Sequence, residues 1–169
     1  YISMARLNQL YGLNASDSQT SMNALMKKII KKKTDLSFAS KQISQKLSNF
    51  PASKLPSRMP YGNFSAQLTD TLRIIGSETA IPVMHVQHGS FDTHDGQKWQ
   101  HPKLLSELSD GLASFRKNLI NMGRWDDVLV MTYSEFGRRV AENGAQGTDH
   151  GTASVQFMMG GKVNAGLYG

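Results

Sequence analysis

Ten residues of the chain, HGSFDTHDGQ (88–97), concentrate side chains that can bind a metal ion. The stretch holds two of the five histidines, His88 and His94, and two carboxylates, Asp92 and Asp95. In an extended D-x-H sequence, alternate side chains point the same way, so Asp92 and His94 can converge on one ion. Zinc and manganese accept imidazole nitrogen and carboxylate oxygen as ligands. The stretch therefore predicts one half of a divalent metal site.

Two further polar clusters lie at the ends of predicted strands downstream. Glu135 and Arg138 follow one strand, and Asp149 and His150 precede the next. Glycines on either side of the Asp-His pair permit a turn that brings both side chains together. Ligand sites in parallel α/β sheets lie beyond the carboxyl ends of the strands, so we expect these clusters to meet Asp92 and its neighbours. Arg138 would then orient a tetrahedral oxyanion.

Each cluster, taken alone, also has a simple structural explanation. A D-x-H stretch is common in turns, where the Asp caps a backbone group, and Glu135 can merely pair with a neighbouring arginine. Among the other histidines, we expect His85 to pack in the core and His101 to cap or open a helix. His88 remains an outer candidate for the site. The joint placement of the clusters at strand ends favours the metal site.

The elements that must position these residues alternate between helix and strand after residue 63. Amphipathic periodicity predicts helices at 64–78 and 101–123, the second with Pro102 in its first turn and Gly123 as its stop. Three apolar runs predict buried strands at 80–88, 126–134 and 154–161. A strand, a long helix and a strand form a βαβ unit, so we expect a parallel sheet covered by helices.

The N-terminal third is predicted to be helical and basic. Residues 1–60 contain ten Lys and Arg against two acids, whereas residues 61–169 contain nine against eleven. Periodicity and caps predict helices at 1–12, 20–33 and 36–49, with Thr34 or Asp35 capping the last, before a Pro-rich connector at 49–63. We therefore expect two parts, a basic helical segment with its connector (1–60) and an α/β metal-site domain (61–169).

Composition restricts the chemistry that the chain can perform. The chain has no cysteine, so any metal must be held by histidine, carboxylate and other oxygen ligands. No apolar run approaches the ~18 residues of a membrane span. The lysine-rich KKIIKKK (27–33) favours a solvated helix face. It lacks the interleaved aromatic residues of single-strand binders, so nucleic acid is not an expected partner.

Four phrases, in this order and spacing, resemble the DUF1501 family of the alkaline phosphatase-like (sulfatase-like) superfamily. They are GSFDTH (89–94), VLVMTYSEFGRR (128–139), GTDHG (147–151) and FMMGGKVNAGLYG (157–169). The resemblance covers about residues 80–169. It implies a partial three-layer α/β/α sandwich of the alkaline phosphatase type and a metal-dependent hydrolase of small phosphate or sulfate esters. It also implies export, for example to the periplasm, and zinc as the metal, with manganese or calcium as alternatives.

The resemblance also assigns residues by position. The implied metal-site residues are Asp92, His94, Glu135, Asp149 and His150. Phe136 stands where well-studied superfamily members have a histidine ligand, so one metal or a differently built pair is expected. No Ser or Thr nucleophile follows an early strand, and the chain begins at Tyr1, so we expect a fragment that lacks the nucleophile. The alternative is a non-catalytic binding or scaffold protein that retains the fold. The sequence leaves the oligomeric state open.

Overall fold

The computed structural model describes residues 24–168 as a mixed α/β arrangement of three α-helices and four short β-strands. The helices are α1 (Ala24–Asn49), α2 (Asn63–Gly76) and α3 (Gln97–Asn121). The strands are β1 (Val130–Met131), β2 (Gly137–Glu142), β3 (Thr148–Gly151) and β4 (Met158–Met159). The chain divides into two units between Gln42 and Ile43, and the site lies in the second. The helix predicted at 1–12 lies outside the described residues.

Helix α1 is continuous where the sequence predicted two helices, so the predicted break near Thr34 is wrong. The Thr34 hydroxyl donates a hydrogen bond of 3.0 Å to the Ile30 carbonyl, one turn back in the same helix. A threonine that bonds backward in this way stays inside the helix instead of capping the next one. The helix ends at Asn49, as predicted. Arg73 of α2 donates hydrogen bonds to the carbonyls of Leu47 and Phe50, which satisfies backbone acceptors at this end.

The core lies between α2 and α3. Apolar residues recur at helical spacing on α2, where Phe64, Leu68, Leu72 and Ile75 are buried against Phe115 and Leu119 of α3. The helices approach closely at Gly111, where a Cβ atom would lie 2.8 Å from the Phe64 ring. The side chain of Asn118 is fully buried, and its Oδ1 accepts a hydrogen bond from the Ser57 backbone. The Pro-rich connector therefore packs on α3.

Helix α3 begins four residues earlier than predicted, at Gln97. Gly96 turns the chain in the left-handed conformation (φ 49°). The N–H groups of Gly96 and Gln97 then donate to the carbonyls of Ala145 and Gln146, each over 3.0 Å. A tertiary contact thus satisfies donors at the start of the helix, and Pro102 falls one turn further along than expected. The predicted stop is confirmed, since Gly123 follows the helix with φ 66°.

The strands that the described residues form are paired antiparallel, so the predicted parallel pairing is wrong. Val130 pairs with Met159 and Met131 with Met158, which joins β1 to β4. Strands β2 and β3 form a separate hairpin from segments that were predicted as loops, with Arg138 opposite His150. These short antiparallel ladders do not establish the expected three-layer α/β/α sandwich. Among the helices of residues 24–168, none combines the length and apolar character of a membrane span.

The segment predicted as the first strand, residues 80–88, belongs to no ladder among the described residues. Its side chains alternate as a strand's do, with Met84 and Val86 against the core and Val83 82% exposed. The side-chain amide of Gln67 replaces a strand partner, because it both donates to the Gln87 carbonyl and accepts from the Gln87 N–H. The predicted strand is therefore replaced by an irregular segment that hydrogen-bonds to α2.

We predict that Leu119→Ala lowers the free energy of unfolding by about 2–5 kcal/mol, because it leaves a cavity in the α2–α3 core. Leu119 is fully buried, whereas Leu105 on the same helix is 51% exposed. Leu105→Ala removes the same atoms at a solvated position and should change stability by less than about 1 kcal/mol. Urea denaturation of both variants measures the difference, and equal losses would contradict this assignment of the core.

Candidate metal centre

Three of the predicted ligands meet on one side of the β2–β3 hairpin. Asp92 and His94 come from the loop before α3, and His150 comes from β3, 58 residues beyond Asp92. His150 Nε2 lies 2.7 Å from Asp92 Oδ1, and His94 Nε2 lies 3.1 Å from the same oxygen. All three side chains are exposed, and their candidate ligand atoms lie within 4.8 Å of one another. The expected meeting of distant clusters is thus confirmed for these residues.

The donors of this cluster fit a divalent transition metal. Two imidazole nitrogens and one carboxylate oxygen form a donor set that zinc accepts, with solvent free to complete four-coordination. Bonds of about 2.0–2.1 Å in a tetrahedral arrangement separate neighbouring donors by roughly 3.3 Å. The separations of 2.7 and 3.1 Å around Asp92 Oδ1 lie near that value. The donor types and these two separations are therefore compatible with a tetrahedral ion site.

Asp149 adjoins the cluster on the far side of the His94 ring. Its Oδ1 lies 3.4 Å from His94 Nδ1 and accepts a hydrogen bond of 3.1 Å from the Asn143 amide. The same amide donates to the His94 carbonyl over 2.9 Å. Arg139 Nη1 approaches Asp149 Oδ2 to 4.0 Å. Asp149 is therefore held beside His94 but lies outside the three-residue group.

Arg138 joins the two chain segments that carry the cluster. Its guanidinium donates to the carbonyl of Phe91, over 2.6 Å, and to the carbonyl of Thr148. It also lies 3.6 Å from Asp92 Oδ1, while the side chain is only 14% exposed. Two planar N–H donors thus fix the residue before Asp92 against the start of β3. Arg138 thus has a structural role in this loop. Its role in orienting an anion remains a prediction.

Glu135 does not join the cluster. It is exposed in the segment before β2, and its carboxylate forms no ion pair among the described residues. Its neighbour Phe136 stacks on the His150 ring instead, with centroids 4.0 Å apart and planes at 10°. Phe136, which the resemblance places at a ligand position, therefore packs against a residue of the cluster. The metal-binding role of Glu135 stays a prediction.

A partly buried hydrogen-bond network connects the cluster to α3. Buried Thr93, between Asp92 and His94 in the chain, has its hydroxyl 2.8 Å from His101 Nε2. Gln97 lies 3.3 Å from the other nitrogen of His101 and accepts a hydrogen bond from Thr148. Burial lowers the pKa of His101, which keeps its ring neutral. Because α3 begins at Gln97, His101 lies inside the helix, and the expectation that it caps or opens the helix is wrong.

Both aspartates of the site are held in the ionised form. A hydrogen bond from His150 is the main cause that lowers the pKa of Asp92, with smaller contributions from the charges of His94 and Arg138. The Asn143 amide and then His94 lower the pKa of Asp149. Because these folded-state pKa values are depressed, the contacts stabilise the fold above the unfolded carboxyl range. That contribution is lost as the pH falls through the depressed values.

Gly147 allows the two halves of the site to touch. A Cβ atom at this position would lie 2.3 Å from the carbonyl carbon and oxygen of His94. The turn before it is fixed by Asn143, whose Oδ1 accepts hydrogen bonds from the N–H groups of Ala145 and Gly147. The absence of a side chain at Gly147 therefore lets the backbone of the neighbouring loop approach.

The remaining histidines lie away from the cluster. His88 packs between Phe64 and Phe91, and its Nε2 lies 3.0 Å from the Leu104 carbonyl. His85 is exposed, so its expected place in the core is wrong, and its Nε2 lies 2.8 Å from the Tyr133 hydroxyl. Of the two methionines of β4, Met158 is 57% exposed and Met159 is partly buried. Sequence reasoning also missed Asn143, although the turn sequence NGAQG (143–147) was available as a signal.

We predict that Gly147→Ala lowers the free energy of unfolding by about 1–3 kcal/mol, because the added methyl group must displace the His94 backbone. Gly144, three residues earlier in the same turn, has no atom within 4 Å of the point where the same methyl group would be added. Gly144→Ala should therefore change stability by less than about 0.5 kcal/mol. Thermal or urea denaturation compares the two variants. Equal stability of both would show that the turn does not press on the His94 loop.

Comparison with known proteins identifies a family for the whole chain. The family model described as "Protein of unknown function (DUF1501)" matches residues 4–169. No curated protein and no solved structure matches the chain. The match extends the resemblance seen in residues 80–169 to the basic helical part. The chain belongs to the DUF1501 family.

Proposed function

We propose that this chain is part of a metal-dependent hydrolase of phosphate or sulfate esters, related to the alkaline phosphatase-like superfamily. The observation that carries the proposal is the convergence of Asp92, His94 and His150 from two segments 58 residues apart. Two imidazoles and a carboxylate form a donor set suited to an ion with catalytic use. Together with the family resemblance, this set favours hydrolysis over a purely structural role.

Zinc is the proposed ion, with manganese and calcium as alternatives, and Asp92, His94 and His150 are the proposed ligands. A bound ion of this kind polarises an ester oxygen and lowers the pKa of a bound water. The surrounding side chains add positive charge for an anionic ester, since Arg138 lies 3.6 Å from Asp92 and Arg139 is 69% exposed beside Asp149. The exposure of the cluster leaves room for a small substrate.

The proposed superfamily relation includes a three-layer α/β/α sandwich. One face of the β1–β4 ladder packs on the core through Val130, and Met159, which pairs with Val130, is partly buried. The other face is also apolar, and its side chains are more than half exposed: Leu129, Met131 and Met158. Strands that are apolar on both faces are typical of sheets covered by helices on both sides. This pattern supports a second covering layer, and the proposed export rests on the family resemblance.

Metal content of the purified and dialysed chain tests the proposal, measured by elemental mass spectrometry. We predict about one zinc ion per chain, lost in the double variant His94→Ala/His150→Ala because two of three ligands are removed. His85→Ala is the matched control, because His85 is an exposed histidine outside the cluster. Retention of zinc in the double variant, or its absence from the wild type, would contradict the proposed site.

The second candidate is a binding or scaffold protein that keeps the fold without catalysis. The stacking of Phe136 on His150 favours it, because the ring occupies a place where the superfamily has a further ligand. Chromogenic phosphate and sulfate esters distinguish the candidates when they are assayed with zinc-loaded protein. Turnover that disappears in the His94→Ala/His150→Ala variant supports the hydrolase. Stoichiometric zinc without turnover, in a longer form of the protein that contains this chain, supports the scaffold.

A further inference from the structure

The His94 ring lies between two carboxylates. Its Nε2 is 3.1 Å from Asp92 Oδ1, and its Nδ1 is 3.4 Å from Asp149 Oδ1. An ionised carboxylate can only accept hydrogen bonds, and a neutral imidazole has one donor nitrogen and one acceptor nitrogen. Only one of the two carboxylates can therefore receive an N–H from a neutral His94, and the other nitrogen must present its lone pair.

The surroundings of the two nitrogens decide which one binds the ion. On the Nε2 side, His150 Nε2 also approaches Asp92 Oδ1, so three ligand atoms converge. On the Nδ1 side, Asp149 is the only carboxylate beside the ring among the described residues, and both of its oxygens have other cationic or amide neighbours in Arg139 and Asn143. The ion therefore belongs on Nε2, which leaves the proton of a neutral ring on Nδ1, facing Asp149.

We propose that Asp149 is a positioning residue that accepts the Nδ1–H of His94, and not a metal ligand as its sequence position implied. This inference rests on the metal site of the proposed function. A carboxylate at this place fixes the tautomer and the orientation of a ligating imidazole and makes the ring a better donor. Asp149 would then act on the ion only through His94.

The contacts of Asn143 support this role, because they fix the Asp149 carboxylate relative to His94. Its amide donates both to Asp149 Oδ1 and to the His94 carbonyl, over 3.1 and 2.9 Å. Its Oδ1 is fixed by two backbone N–H groups of its own turn. One side chain thus sets the position of Asp149 relative to His94, as an orienting hydrogen bond to a ligand requires.

The protonated nitrogen of His94 in the zinc-loaded full chain tests the proposal directly. Long-range proton–nitrogen NMR spectra of protein with ¹⁵N-labelled histidine show which ring nitrogen carries the proton, and His94→Ala assigns the signals. The proposal predicts a protonated Nδ1 and zinc on Nε2. A protonated Nε2 with zinc on Nδ1 would overturn the proposal while leaving the metal site intact. A wild-type chain that binds no zinc would overturn both the proposal and the proposed function.

Zinc affinity, measured by competition with a chelator, separates a positioning residue from a ligand. Asp149→Ala removes the acceptor and should weaken binding by about 10- to 100-fold. Asp149→Asn keeps an acceptor oxygen at the same place and should bind zinc close to the wild-type value. Asp95→Asn controls for the loss of charge, because Asp95 is an exposed carboxylate of the same loop outside the cluster. Equal, larger losses in both Asp149 variants would identify Asp149 as a ligand and overturn the proposal.

Discussion

The contact between the β2–β3 turn and the loop before α3 is the constraint on which the site depends. The carbonyls of Ala145 and Gln146 receive the N–H groups that begin α3, and Gly147 lies against the His94 backbone without a side chain. This contact satisfies backbone donors at the point where the long helix starts. It also brings His150 and Asp149 to the residues that precede the helix. A change in this turn would therefore alter both the start of the core helix and the cluster of Asp92, His94 and His150.

The site combines exposed donors with a supporting frame that is largely shielded from solvent. Asp92, His94 and His150 are exposed, whereas Thr93 is buried and the Arg138 side chain is 14% exposed. The hydrogen bonds of Arg138 to two carbonyls hold the segments at a fixed separation. Such a frame limits movement of the three clustered side chains while leaving them accessible to solvent.

Local signals predicted part of this structure well. The periodicity of α2 and the stop at Gly123 are visible in the sequence. The approach of Asp92, His94 and His150 was expected from strand ends of a parallel sheet, and it occurs although the observed strands are antiparallel. One failure is local, because the Thr34 hydroxyl can either cap a new helix or bond back to Ile30 within one helix, and the sequence permits both. The other two failures are tertiary. The Gln67 side chain takes the place of a strand partner for Gln87, and the turn before Gly147 accepts the N–H groups at the start of α3. These two contacts come from residues outside the element that they change, so single-segment patterns could not predict them.

The ligand set of the bound ion tests the central claim most directly, and X-ray absorption spectroscopy at the zinc edge measures it. The account predicts a first shell of two imidazole nitrogens and carboxylate or solvent oxygen, with the multiple-scattering pattern of two histidines. In the His150→Ala variant, one imidazole should disappear from the first shell of the zinc ion and the other should remain. A shell made only of oxygen, or one unchanged in that variant, would contradict a metal site built from Asp92, His94 and His150.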